Sequence, residues 1–145
     1  MIQVLKLAPA VLYIIVGIVS LIMAYKNLFS HRFLPFHEKA SNKTWEEVDS
    51  LLQIVILTFM RLTGLGFLVV SFMLLVFPII NYLNRNTFYE YFIPLLALIF
   101  CFGLFLINYS LYRKTKATTP WKRSLYAMIL IISGIIISIL SNIVN

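Results

Sequence analysis

Four long apolar stretches constrain the fold of this chain more than any other feature of its sequence. A helix of about 20 apolar residues crosses the roughly 30 Å hydrocarbon core of a bilayer. Four segments reach that length, and they cover residues 7–28, 51–83, 91–112 and 124–144. We therefore predict an all-α integral membrane four-helix bundle, formed by residues 1–145 as a single domain.

The composition agrees with a membrane protein. The chain is 61% hydrophobic and 12% charged, whereas a soluble domain is about half apolar and a quarter charged. A formal net charge of +7 would suggest nucleic acid as the partner of a soluble protein. Here the charges are confined to short segments between apolar runs. We therefore expect membrane lipids, including anionic headgroups, as partners and no nucleic acid.

The second apolar stretch is longer than a bilayer requires. Thr44 and Glu47 have the spacing of a capping box, and a helix from Thr44 to Leu83 would contain about 40 residues and measure about 60 Å. Three alternatives stay open for this overlong second helix. It starts as an extension, it bends near residues 63–66, or Pro78 kinks it near the opposite surface.

Capping signals also precede the third and fourth helices. Residues 87–90 repeat the capping-box spacing, which would account for Glu90 at the outer surface. Thr119 before Pro120 is typical of an N-cap followed by proline in the first turn. With Glu90 explained in this way, the spans contain no acidic residue. This disfavours proton- or cation-coupled export, which generally needs a carboxylate inside the membrane.

Lysine and arginine are distributed unevenly between the two ends of the predicted bundle. The connections between helices one and two and between helices three and four carry nine of these residues, and the opposite end carries two. The nine are Lys26, Arg32, Lys39, Lys43, Arg113, Lys114, Lys116, Lys122 and Arg123, and the two are Lys6 and Arg85. The positive-inside rule then predicts a multi-pass cell-membrane protein with both connections cytoplasmic and both termini non-cytoplasmic.

Arg61 is the residue that most suggests a site, because it is the only charged residue deep in an apolar run. A guanidinium at the bilayer centre costs about 2.5–3.5 kcal/mol. One interpretation is a binding site for an anion or headgroup, with Gln53 on the same helical face and Asn108 as a possible partner. The alternatives are an arginine bonded to neighbouring carbonyls and an arginine that extends to the cytoplasmic interface.

The first connection contains three further candidates, His31, His37 and Glu38. Imidazole and carboxylate groups can act as acid, base or metal ligand, but this spacing matches no zinc pattern. We predict neither a metal site nor a cofactor. Histidines beside basic residues at an interface are more typical of headgroup contacts.

Small residues mark packing faces on the last two helices. The lone cysteine, Cys101, excludes an intramolecular disulfide and a paired-thiol redox site. Gly134, Ser138 and Ser141 lie on one face of the fourth helix and allow a neighbouring helix to approach closely. That face could serve a homodimer or a partner membrane protein.

Two short segments carry a family resemblance. The sequence Arg61-Leu-Thr-Gly-Leu-Gly-Phe-Leu, taken as the opening of a helix after a short loop, resembles the DoxX-like group of small four-helix bacterial membrane proteins. Leu34-Pro35-Phe36-His37 after the first helix is similar to the same group. The resemblance covers about half of the chain. It implies a compact four-helix bundle and specifies no activity.

No catalytic motif is recognisable in the sequence, which contains neither a nucleophile elbow nor a phosphate-binding loop. The residues therefore favour a protein that is not an enzyme, has no catalytic residue, and acts as a small scaffold, accessory subunit or lipid-contacting bundle. One alternative is a transporter or channel for an anion or amphiphile, with Arg61 facing a cavity. Another is a lipid-modifying enzyme that uses His31, His37 and Glu38.

Overall fold

Five α-helices make up the part of the chain that the structure describes. A computed structural model describes the backbone of residues 2–84 and 87–143 and the side chains of residues 7–81 and 90–143. Its helices are α1 (Ile2–Leu28), α2 (Pro35–Ser41), α3 (Ser50–Asn84), α4 (Thr87–Thr115) and α5 (Trp121–Ile143), and these described ranges contain no β-strand. The predicted all-α fold is confirmed.

Four of the described helices are long and apolar enough to cross a membrane. The spans are Leu7–Leu28, Ser50–Asn81, Glu90–Thr115 and Trp121–Ile143. The outer faces of the bundle are apolar as well, since Phe72 and Ile107 are 67% and 68% exposed. A helix that is apolar on all sides is typical of a membrane span. The chain is therefore a multi-pass membrane protein.

The four long helices enclose one apolar core. α1 packs against α3 and α5, α4 packs against α5 and α3, and the short α2 lies against α4. Tyr13 of α1, Leu74 of α3, Ala97 of α4 and Ile131 of α5 are almost completely buried in this core. The core therefore contains a side chain from every span.

Glycines allow α1 to approach its two neighbours closely. A Cβ atom on Gly64 would lie 3.0 Å from the backbone nitrogen of Leu28, and one on Gly134 would lie 2.6 Å from the Tyr13 ring. Gly134, Ser138 and Ser141 are all buried in the described bundle. The small-residue face of α5 thus serves packing within the chain, and a homodimer would have to use another surface.

The overlong helix α3 begins later than predicted. Residues Trp45–Glu47 form a separate 3₁₀ turn, and the carboxylate of its last residue accepts a hydrogen bond from the Thr44 backbone N–H at 2.8 Å. α3 itself starts at Ser50, where Asp49 Oδ1 accepts a hydrogen bond from the Leu51 N–H at 2.9 Å. The predicted start at Thr44 was wrong because the capping box stabilises only this short turn, and Asp49 caps α3.

The structure shows where the extra length of α3 lies. The helix continues without a break through residues 63–66 and through Pro78. Because Gly64 contacts Leu28 at the end of α1, residues 50–63 extend past α1 by about 21 Å at 1.5 Å per residue. The excess length of α3 therefore lies at its start, and the glycines at 64 and 66 allow close packing against Leu28 and Phe100.

Candidate functional site

The connections that contain most of the basic residues lie at one end of the bundle, which we call the basic end. A groove of about 600 Å³ opens there between the end of α1, the start of α2 and the α4–α5 connection. We call it the basic groove. Three cationic side chains line it, Lys26, Lys122 and Arg123, and apolar atoms come from residues that include Met23 and Phe36.

The local fold of α5 concentrates positive charge in the basic groove. Lys122 and Arg123 belong to the first turn of α5, and that turn contains no acidic residue. The start of a helix already carries a partial positive charge from its unpaired N–H groups. No acidic side chain is among the groove residues. An anion of suitable shape would therefore be attracted to this groove.

Hydrogen bonds and aromatic contacts hold the α4–α5 connection in place. The Thr119 hydroxyl donates to the Asn108 carbonyl oxygen at 3.0 Å. The predicted N-cap role of Thr119 is not what the structure shows, because α5 begins at Trp121 and Pro120 precedes its first residue. The Trp121 ring lies 5.7 Å from the Tyr109 ring, and Lys122 Nζ lies 5.7 Å from the Trp121 ring centroid. Of these two rings, Trp121 lines the groove, together with Tyr112 and Phe36.

Arg61 lies on the outside of α3. Its side chain is exposed, and it lies about one turn beyond Gly64, the residue that contacts the end of α1. Arg61 is therefore near the basic end instead of the middle of the bundle. It lines neither the basic groove nor a second depression on α4 beside Arg113 and Lys114. No described residue forms an ion pair or hydrogen bond with it.

Gln53 and Asn108, the two residues predicted to accompany Arg61, form hydrogen bonds with other groups. Gln53 Nε2 donates to the carbonyl oxygens of Trp45 at 2.9 Å and Val48 at 3.0 Å, and so fixes the 3₁₀ turn against α3. Asn108 Nδ2 donates to the Leu104 carbonyl oxygen in its own helix at 2.8 Å. The described hydrogen bonds therefore do not connect Arg61, Gln53 and Asn108. The family resemblance took the segment that begins at Arg61 as the opening of a helix. In the structure this segment lies inside α3.

The candidates of the first connection are separated as well. His31 and Glu38 are exposed, whereas His37 is half-buried, with its ring centroid 4.0 Å from that of Phe36 and 5.8 Å from that of Phe33. Burial lowers the pKa of His37 below 6.5. Among the described residues, no group of three acidic, histidine or cysteine side chains could hold a metal ion.

A second polar site, which we call the Glu90 cluster, lies at the opposite end of the bundle. The Ser138 hydroxyl of α5 donates to Glu90 Oε1. Asn142 Nδ2 lies 3.3 Å from Glu90 Oε2 and donates to the Tyr91 hydroxyl oxygen at 2.7 Å. Glu90 lies in the first turn of α4. Its carboxylate thus bonds to α5, and the capping role expected for it stays a prediction.

Sequence reasoning missed the partners of Glu90. Ser138 and Asn142 are four residues apart on α5 and therefore lie on the same face, one turn from each other. The sequence signal for this site was this polar pair together with Glu90, the only acidic residue of the four spans. The capping box proposed for residues 87–90 involves the Thr87 side chain, which lies outside the described side chains.

Comparison with known proteins adds no relative. No protein-family model, curated protein or solved structure matches the chain.

Proposed function

We propose that this protein is a non-catalytic lipid-contacting bundle that binds an anionic phospholipid in the basic groove. The main support for this proposal is the lining of the groove, where Lys26, Lys122 and Arg123 lie beside apolar side chains. A phospholipid combines the two matching parts, a phosphate that pairs with the cations and acyl chains that cover the apolar side chains.

The energies favour a lipid over a soluble anion. Each lysine or arginine near a membrane surface contributes about 1 kcal/mol to the attraction of anionic lipid. Trp121 and Tyr112 line the same groove, and such aromatic residues are enriched at the level of the headgroups. A soluble anion would use the cations and leave the apolar side chains uncovered.

The proposal includes an orientation for the chain. The two connections at the basic end carry nine lysine and arginine residues, against two in the segments predicted at the other end, so we place the groove in the cytoplasmic leaflet and both termini outside the cytoplasm. Anionic lipids are concentrated in that leaflet. A scaffold or accessory role in the membrane fits a bundle with a lipid site and no catalytic motif.

Native mass spectrometry of the purified protein in a neutral detergent tests the proposal. We expect it to retain phosphatidylglycerol in preference to phosphatidylcholine with the same acyl chains. The double variant Lys122→Gln/Arg123→Gln should weaken phosphatidylglycerol binding about 25-fold, because about 1 kcal/mol per cation corresponds to about a fivefold change in affinity.

The matched control is Lys39→Gln/Lys43→Gln, which removes the same charge at the same end. Both lysines are exposed and neither lines the groove, so this variant should retain most of the binding. Equal loss in the two double variants would show a general charge effect and refute the site. An absence of preference for phosphatidylglycerol in the unaltered protein would refute the proposed function.

A further inference from the structure

We propose that the Glu90 cluster is a binding site for a small monovalent cation of the Na⁺ type. The proposal starts from the charge of Glu90. Its carboxylate is half-buried at the start of a membrane span and bonds to the Ser138 hydroxyl and the Asn142 amide. Among the described side chains, no lysine or arginine pairs with it. A carboxylate in such a place favours a cationic partner, and the donors that contact it in the described part of the chain are neutral.

The Tyr13 hydroxyl is the second, independent observation. Tyr13 is 2% exposed, and its hydroxyl has no hydrogen-bond partner in the described part of the chain. A Cβ atom on Gly134 would lie 3.1 Å from this hydroxyl oxygen, and Ser138 is one turn further along the same face of α5. The hydroxyl is also within electrostatic range of Glu90. It therefore belongs to the surroundings of the carboxylate.

A buried hydroxyl without a partner is costly, since its desolvation is uncompensated. A tyrosine oxygen has lone pairs that can coordinate a cation. The oxygen atoms available at the cluster come from the Glu90 carboxylate, the hydroxyls of Tyr13, Tyr91 and Ser138, and the Asn142 amide. Three spans contribute them, so a bound cation would join α1, α4 and α5.

The atoms that could coordinate a cation indicate which type of cation fits the site. All of these donors are oxygen atoms, and hard cations prefer oxygen. Calcium sites use several carboxylates, whereas this cluster supplies one negative charge that balances one positive charge. A monovalent alkali cation is therefore the best match. The site lies at the end opposite to the basic groove and does not depend on the lipid proposal.

Thermal unfolding of the full chain in neutral detergent tests the site. The protein is first compared in NaCl and in choline chloride at equal ionic strength. We expect the midpoint to rise with Na⁺ and to saturate, because a cation that binds only the folded state stabilises it by mass action. Glu90→Gln should abolish the Na⁺ response. An equal midpoint in Na⁺ and choline over the whole titration would overturn the proposal.

Two tyrosine variants show whether Tyr13 is a ligand. Tyr13→Phe keeps the buried ring and removes only the hydroxyl, and we expect at least a tenfold weaker apparent affinity for Na⁺. Tyr126→Phe is the matched control, since Tyr126 is an exposed tyrosine, and it should keep the full response. An unchanged response in Tyr13→Phe would remove Tyr13 from the site, and a full response in Glu90→Gln would refute the site itself. If Glu90→Gln does not fold, the comparison of Na⁺ with choline and the Tyr13→Phe result decide.

Discussion

Substitution of Gly134 by alanine adds one methyl group where α5 comes closest to α1. The new Cβ atom would lie 2.6 Å from Tyr13 Cε1 and 2.9 Å from Cζ, whereas ordinary contacts begin at 3.4 Å. The ring cannot turn away freely, because Tyr13 is 2% exposed and its centroid lies 6.2 Å from that of Phe77. The two helices would therefore have to separate, or the ring would have to leave its position in the core.

The expected magnitude follows from the cost of overpacking, which is about 1–3 kcal/mol for an added methyl group in a tight core. Alanine also gains about 1 kcal/mol of helix propensity over glycine. Gly103→Ala is the control that isolates the clash. It makes the same change in a helix, and a Cβ atom at that position would meet nothing within 4 Å. We expect Gly134→Ala to be less stable than Gly103→Ala by about 2 kcal/mol.

The free energy of unfolding can be measured by titration with a denaturing detergent, followed by circular dichroism. Tyr13→Ala combined with each alanine variant completes the test, because removal of the ring should remove the difference between positions 134 and 103. Equal stabilities of Gly134→Ala and Gly103→Ala, with Tyr13 in place, would show that the close approach of α1 and α5 is wrong.

Two further predictions concern the basic end and the orientation. Burial lowers the pKa of His37 below its unfolded value of 6.5, so the unfolded chain binds more protons between the two values and stability should fall as the pH drops below about 6.5. His37→Phe should remove this part of the pH dependence in thermal unfolding, and identical profiles for the two proteins would exclude His37 as its source. For the orientation, a cysteine introduced by Arg85→Cys or Asn145→Cys in a Cys101→Ala background should react with a membrane-impermeant thiol reagent from the outside of intact cells. Labelling from the cytoplasmic side alone would reverse the proposed topology.

The helix boundaries show which features of the fold local sequence signals can predict. The predicted spans agree with the described helices because apolar length is a local property and a bilayer fixes the minimum. The start of α3 was predicted wrongly at Thr44. Capping-box spacing can stabilise any first turn, and nothing local indicates whether the turn continues. The Asp49 side chain, four residues before Gln53, provides the cap that the structure uses.

The candidate sites show what local sequence signals cannot predict, namely which helices cover a given residue. Periodicity placed Arg61 and Gln53 on one face of a helix. It could not show that α1 covers Gly64 while Arg61 remains exposed. The same limit applies to Glu90, whose spacing from Thr87 suggested a cap and whose carboxylate bonds to Ser138 of another helix. The role of a polar side chain in a span therefore depends on which helix packs against it.

The sequence by itself thus determined that this protein crosses the membrane four times with one overlong helix, because span length and hydrophobicity depend only on residues that are adjacent along the chain. Only the tertiary structure decided which polar residues meet. It brings together Lys26 and Arg123 at one end and Glu90 and Ser138 at the other, residues that are more than forty positions apart. Their approach depends on the rotation and register of packed helices, which small residues such as Gly64 and Gly134 permit and which hydrophobicity alone leaves undetermined.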